Sequence, residues 1–360
     1  MPIKNSYLIF LLAFAFMSCD DEDKATPTLD IPTIYTSASF AANVVAEDLV
    51  VNELSDMTSA VNAAESNAQN AVVATIFYPS TLRSVTLPSY ATLIDAWLTE
   101  LVNAANSPTG FQNPGVGTPA AGEEGGLLGS RLLDENGLEL EQMVQKGSFG
   151  AALYKHALTV INGDLSSSAA IDQLVEIHGT DPTFDPASTT AAATYSRRRS
   201  NLTAETGFFY DIRTALLTAK AAIEAGSAYD DVRDQALTDY LAAWEKSNFA
   251  TVIYYANATK MLLQNAGDDD GALGNAMHSY AEGVAFAHGF KGLDQKQITD
   301  EQIDSILALL LAPEGEAPES YRFLNEVTLL ANLEQIIEDV QAIYGFTDEE
   351  VNSFFVNNNP

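Results

Sequence analysis

Cysteine is almost missing from this chain: Cys19 stands alone among 360 residues. An internal disulfide and a cysteine-rich metal knot are therefore excluded, and stability must come from packing. Positive charge is also scarce, with 17 Lys plus Arg against 49 Asp plus Glu and a formal net charge of -32. Because phosphate binding depends on Lys and Arg, this balance argues against nucleic acid and anionic headgroups as partners and lets cations accumulate at the surface. Histidine is limited to four residues. The H-E-x-x-H zinc helix, the G-x-S-x-G elbow, the P-loop and the dinucleotide fingerprint are all absent. Valine-rich runs alternating with turns are missing too, which excludes a major sheet.

What the chain does have begins at its N-terminus. Residues 7 to 17, YLIFLLAFAFM, form an apolar stretch behind Lys4, of signal-peptide length and too short for an ordinary spanning helix. Ser18 precedes Cys19, and Asp20, Asp21, Glu22 and Asp23 follow it. The arrangement resembles a bacterial lipoprotein signal, with Phe16 where such signals usually carry Leu. The resemblance implies that residues 1–18 are removed and that Cys19 is lipidated, which withdraws the only thiol from site chemistry. The acidic run resembles the export signal of Bacteroidetes surface lipoproteins, which implies a cell-outer-membrane, lipid-anchored, surface-exposed protein. Outer-membrane lipid is then a partner through Cys19. Residues 19–33 read as an acidic tether and residues 34–360 as the folded body.

In the body, an apolar fraction of 47% suffices for a core, and alanine-rich segments of helical period dominate. Residues 37–66 carry Phe40, Val44, Leu49, Leu54 and Val61 on one stripe, with Ser37 or Ser39 as caps. Helices are predicted over 89–102, 137–163, 204–226, 229–266, 272–289, 298–312 and 318–344, with a short one from Thr347. Gly147 and Gly150 interrupt the second of these and are expected to serve close packing. Residues 105–136 and 179–195, rich in Gly, Pro and small polar residues, read as long surface loops. The GDDDG sequence from Gly267 to Gly271 reads as a turn and helix start, since it lacks the ligand spacing of a calcium loop. The expected fold is all-α, a helical bundle with two long surface loops, in one body or two packed halves.

Four segments carry a family resemblance: LELEQMVQKGSFGAALYKHAL at 138–158, FFYDIRTALLTAKAAIEAG at 208–226, AWEKSNFATVIYYANATKML at 243–262, and AMHSYAEGVAFAHGFKG at 276–292 followed by ITDEQIDSIL. Their order resembles the Bacteroidetes lipoprotein family catalogued as domain of unknown function 4856, which is similar in outline to the imelysin-like proteins. The resemblance implies an all-helical, imelysin-like body and a link to iron uptake or to a putative metallopeptidase class. The imelysin-like signature places His and Glu three residues apart after a Gly, and this chain departs from it.

What remains is His278 with Glu282, four apart and hence on one helical face. Such a pair can supply two ligands to a divalent metal ion if a further ligand comes from another helix, or it can simply hydrogen-bond within the core. His288 reads as a capping or surface group, and His156 and His178 as structural. Arg197, Arg198 and Arg199 form a small anion-binding candidate or a salt-bridging patch. Trp244, Phe249, Tyr254 and Tyr255 read as packing. The leading expectation is a non-enzymatic surface lipoprotein that binds or takes up a metal ion, glycan or peptide. A metal-dependent hydrolase and a structural surface protein are the alternatives.

Overall fold

The computed structural model describes residues 28–66, 68, 77–120 and 125–360. The signal segment, Cys19 and the tether up to residue 27 lie outside the described residues. The body is all-α, as the periodicity requires.

The N-terminal helices are α1 (Phe40–Asn43), α2 (Val45–Ser66), α3 (Ser80–Val85) and α4 (Pro88–Ala105). A hairpin of β1 (Gly126–Leu128) and β2 (Arg131–Leu133) pairs antiparallel, Gly126 opposite Leu133. Next come α5 (Leu140–Ser148), a π-helical stretch over Phe149–Tyr154, α6 (Lys155–Ile161), α7 (Ala169–His178) and α8 (Ala191–Arg198). A two-residue ribbon, β3 (Ser200–Asn201) with β4 (Thr206–Gly207), leads into α9 (Phe208–Ala225) and the long α10 (Asp230–Ala266). The chain ends with α11 (Asp270–His288), α12 (Asp300–Leu309), α13 (Leu330–Tyr344) and α14 (Asp348–Phe354).

Helix α10 is central, packing against α9, α11 and α13 and also touching α8 and α14. Neighbours on several sides explain why Trp244, Phe249, Ile253 and Tyr255 are all buried on one helix. One buried cluster runs from Tyr35 through Trp244 to Phe354. Helices α5 and α11 pack beside it, and glycine sets how closely they approach. A Cβ on Gly150 would lie 2.5 Å from the Gly289 carbonyl oxygen, and one on Gly289 would collide with Gly147. The two glycines in the 138–158 segment therefore do serve close packing, at the point where the helix widens into π geometry.

Several expectations need correction. The 37–66 stripe breaks at Val44 between α1 and α2, so the buried face of α2 runs through Val50, Leu54, Met57 and Val61, and Leu49 is exposed. The 105–136 loop contains the β1–β2 hairpin, and the 179–195 loop ends where α8 begins at Ala191. Residues 318–329 form two short 3-10 turns, so α13 starts only at Leu330. His288 is neither a cap nor a surface group: it is 8% exposed and packs edge-on against Tyr90 and Trp97. The arginine run fastens the C-terminal segment. Arg199 donates to the Phe354 carbonyl and to Asn357, and Arg197 donates to the Asn358 carbonyl.

Candidate metal centre

Helix α2 ends in Ser66, and Glu65 in its last turn points toward the start of α5 and the β2 strand. Glu139 is the residue before α5, and Glu141 lies in that helix's first turn. From α11 come His278 and Glu282, one turn apart. The hairpin adds Arg131, held against α11 by its bonds to Asn275, and α5 adds Lys146. Four carboxylates thus meet two permanent cations, leaving a formal deficit of two positive charges if all four are ionised.

The geometry is specific. One ligand oxygen from each of Glu65, Glu139 and Glu141 lies within 4.8 Å of the other two, a separation that oxygens on one small cation can have. Glu139 has a side chain with no solvent exposure, and its Oε2 is 2.7 Å from His278 Nδ1. The Glu139 Oε1 atom accepts from no nitrogen or hydroxyl: Arg131 stands 3.8 Å away, and the Glu139 carboxyl bonds that of Glu65 only when one of the two holds a proton. A buried carboxylate oxygen left in that condition is costly, and nearby positive charge is what relieves it.

Burial pushes the Glu139 carboxyl up to about 8, with Glu141 adding to the rise. Glu65 is raised to about 7, again by burial first and then by Glu139. The Glu141 carboxyl is raised by burial as well. These shifts mark how unfavourable it is to hold the three carboxylates charged together without a neighbouring cation. The His278 ring is shifted down, chiefly by burial and against the pull of Glu282, so its neutral form is favoured. A neutral ring donates from Nδ1 to Glu139 and keeps its Nε2 lone pair, which faces Glu282 Oε2 at 3.8 Å. Glu282 is also held from its other oxygen by Lys146 at 3.4 Å and Tyr195 at 3.5 Å. For Lys146, burial opposes the charge, and Tyr195, Glu282 and Glu141 more than offset it.

His278 and Glu282 thus face one centre, yet at 3.8 Å they share no hydrogen bond; Glu139, just before α5, fixes the ring. Glu65, Glu139 and Glu141 escaped the sequence reading. The only signal was the pair of glutamates two apart in LELEQ, which is not distinctive among 49 acidic residues. The other histidines serve other surroundings. His178 is completely buried and bonded to Ser196, and His156 stands 3.6 Å from Glu47. No protein-family model matches the chain, and no curated protein or solved structure matches it either.

Proposed function

We propose that the mature protein is a non-enzymatic, lipid-anchored surface protein that captures a divalent metal cation at Glu65, Glu139 and Glu141. His278 positions Glu139 through its Nδ1, in the manner by which a second group commonly orients a metal ligand. Glu282 supplies a further carboxylate beside the ring. An oxygen-rich set of this kind favours hard cations such as calcium, magnesium, manganese or ferrous iron over thiophilic ones. The observation that carries the reading is the Glu139 carboxylate, buried without exposure, bonded on one oxygen and unpartnered on the other, beside two further carboxylates.

Lipid anchoring and surface exposure rest on the sequence around Cys19. Calorimetric titration of metal-stripped protein with each of the four cations is the test. At least one should bind stoichiometrically, and Glu139→Gln should weaken it by about a hundredfold, the effect of removing a central ligand or its immediate partner. Absence of binding for all four, or equal binding by Glu139→Gln, contradicts the reading.

A further inference from the structure

Three consecutive arginines sit where α8 ends, and the fold leaves them without a counter-ion. Arg83, Arg131, Arg213, Arg233 and Arg322, the other arginines of the chain, each face a carboxylate oxygen, the most distant at 3.8 Å. Among the described residues no carboxylate comes within 4.0 Å of Arg197, Arg198 or Arg199, although the sequence holds 49 acidic residues. The salt-bridging patch expected as an alternative is therefore absent among the described residues. The negative end of the α8 dipole favours cations here but gives the side chains no acceptor.

These side chains are also largely out of water. Arg197 is 6% and Arg199 5% exposed, and the Nε atoms of all three arginines are buried without an acceptor. What faces them is neutral. Arg197 donates to the Asn358 carbonyl at 3.2 Å and to Asn359 Oδ1 at 3.4 Å, and Arg199 donates to the Phe354 carbonyl and to Asn357 Oδ1. The Arg198 guanidinium makes no hydrogen bond among the described residues and lies over the Tyr195 ring, 5.0 Å from its centroid. Burial shifts both Arg197 and Arg199 down, and the charge of Arg198 adds to each fall. Buried like charges met only by neutral dipoles are costly, and an anion beside them relieves that cost.

We propose that the end of α8 is a binding site for a phosphate dianion, over which residues 357–359 lie as a displaceable strap. Three guanidinium groups match the charge of a dianion better than that of a single carboxylate, and their planar forks suit phosphate oxygens. The strap is held lightly. Helix α14 is anchored by Val351 and Phe354, whereas Val356 is 59% exposed and Asn359 and Pro360 are exposed as well. Apart from its bonds to the arginines, the strap holds the Tyr254 hydroxyl through Asn357, at 2.9 Å. Phosphate replaces the strap's neutral oxygens with charged ones, and hydrogen bonds to an ion are roughly twice as strong. The net charge of -32 does not forbid this, because at physiological salt it is screened beyond about 8 Å.

Calorimetric titration of the purified protein with inorganic phosphate, glycerol 3-phosphate and acetate, at about 0.15 M salt, is the test. Chelator keeps metal ions from holding the phosphate. At least one phosphate compound should bind saturably and about tenfold or more tighter than acetate, and the tighter of the two names the free ion or a phosphomonoester as the source. Arg198→Gln should weaken that binding about tenfold or more, as loss of an ionic hydrogen-bonding partner does. Its melting curve should stay close to the parent's, because the Arg198 guanidinium holds no described residue by a hydrogen bond. The double variant Asn357→Ala, Asn359→Ala removes only competing oxygens and should bind phosphate at least as tightly as the parent. Absence of saturable binding by either phosphate compound, equal binding of acetate, unchanged affinity in Arg198→Gln or weaker binding by the asparagine double variant overturns the proposal.

Discussion

Two buried carboxylates show what distinguishes a structural group from a candidate ligand. Glu245 is 2% exposed and accepts from the backbone N–H groups of Gln297 and Ile298 and from the Tyr344 hydroxyl. Asp172 is similarly satisfied by Tyr35, Ser37 and Asn43. Glu139 is equally buried and has one oxygen unpartnered. Removing the Glu245 charge should therefore lower stability without affecting cation binding, the reverse of the outcome for Glu139→Gln. Thermal melts of Glu245→Gln with and without calcium or manganese separate the two, and unchanged stability of that variant would contradict its role.

Asp134 supplies a pH test at the same scale. Burial raises its carboxyl to about 7 from 3.8, against the hydrogen bonds from Leu138 and Asn136. The folded state thus holds a proton that the unfolded state has released between those values, so this group's contribution falls as pH rises through the window. Asp134→Asn keeps the acceptor oxygen and removes the titration. Its melting temperature relative to the parent should be unchanged near pH 4 and higher by several degrees at pH 8; a constant difference contradicts the assignment. His178 acts in the opposite sense. Burial lowers its ring to about 3 from 6.5, so the unfolded state takes up the proton first and stability falls as pH drops below 6.5. His178→Phe should flatten that acid limb in a pH series of melts.

At the scale of elements, end signals were readable wherever a side chain supplies the missing hydrogen bond. Thr299 before α12 and Thr347 before α14 form reciprocal caps with Gln302 and Glu350, and Asp269 caps the start of α11. Thr347→Ala should cost about 1 kcal/mol, the usual loss for such a cap, and chemical denaturation measures it. The misread segments lack such signals. Val44, where α1 ends and α2 begins, is buried but has no breaker beside it, and the 3-10 turns at 320–329 contain ordinary helix formers.

The crossing of α5 and α11 was legible only by half. Gly147 and Gly150 announced a close approach, but the partner, Gly289, lies far along the chain and only the fold brings it there. Gly150→Ala forces backbone apart and should destabilise by about 1–3 kcal/mol or more, as overpacking does. Because the same crossing aligns Glu139 with His278, cation affinity should fall with it. Unaltered stability would mean that the crossing is loose.

For the molecule as a whole, composition indicated the fold class well, since alanine-rich helical periodicity and missing β patterns leave little else. The site was only half visible. His278 and Glu282 share a helix face, which sequence spacing can reveal, whereas Glu65, Glu139 and Glu141 come together through the packing of α2, α5 and α11. The N-terminal segment is pinned by Asp172 at the α7 end of α2, and the carboxylate centre lies at its other end.

Anomalous diffraction from crystals soaked in manganese, with data on both sides of the manganese edge, addresses the centre itself. A single peak about 2.0–2.4 Å from oxygens of Glu65, Glu139 and Glu141, with His278 still bonded to Glu139, is the expected result. A crystal with manganese bound elsewhere and no peak among those three carboxylates would contradict it.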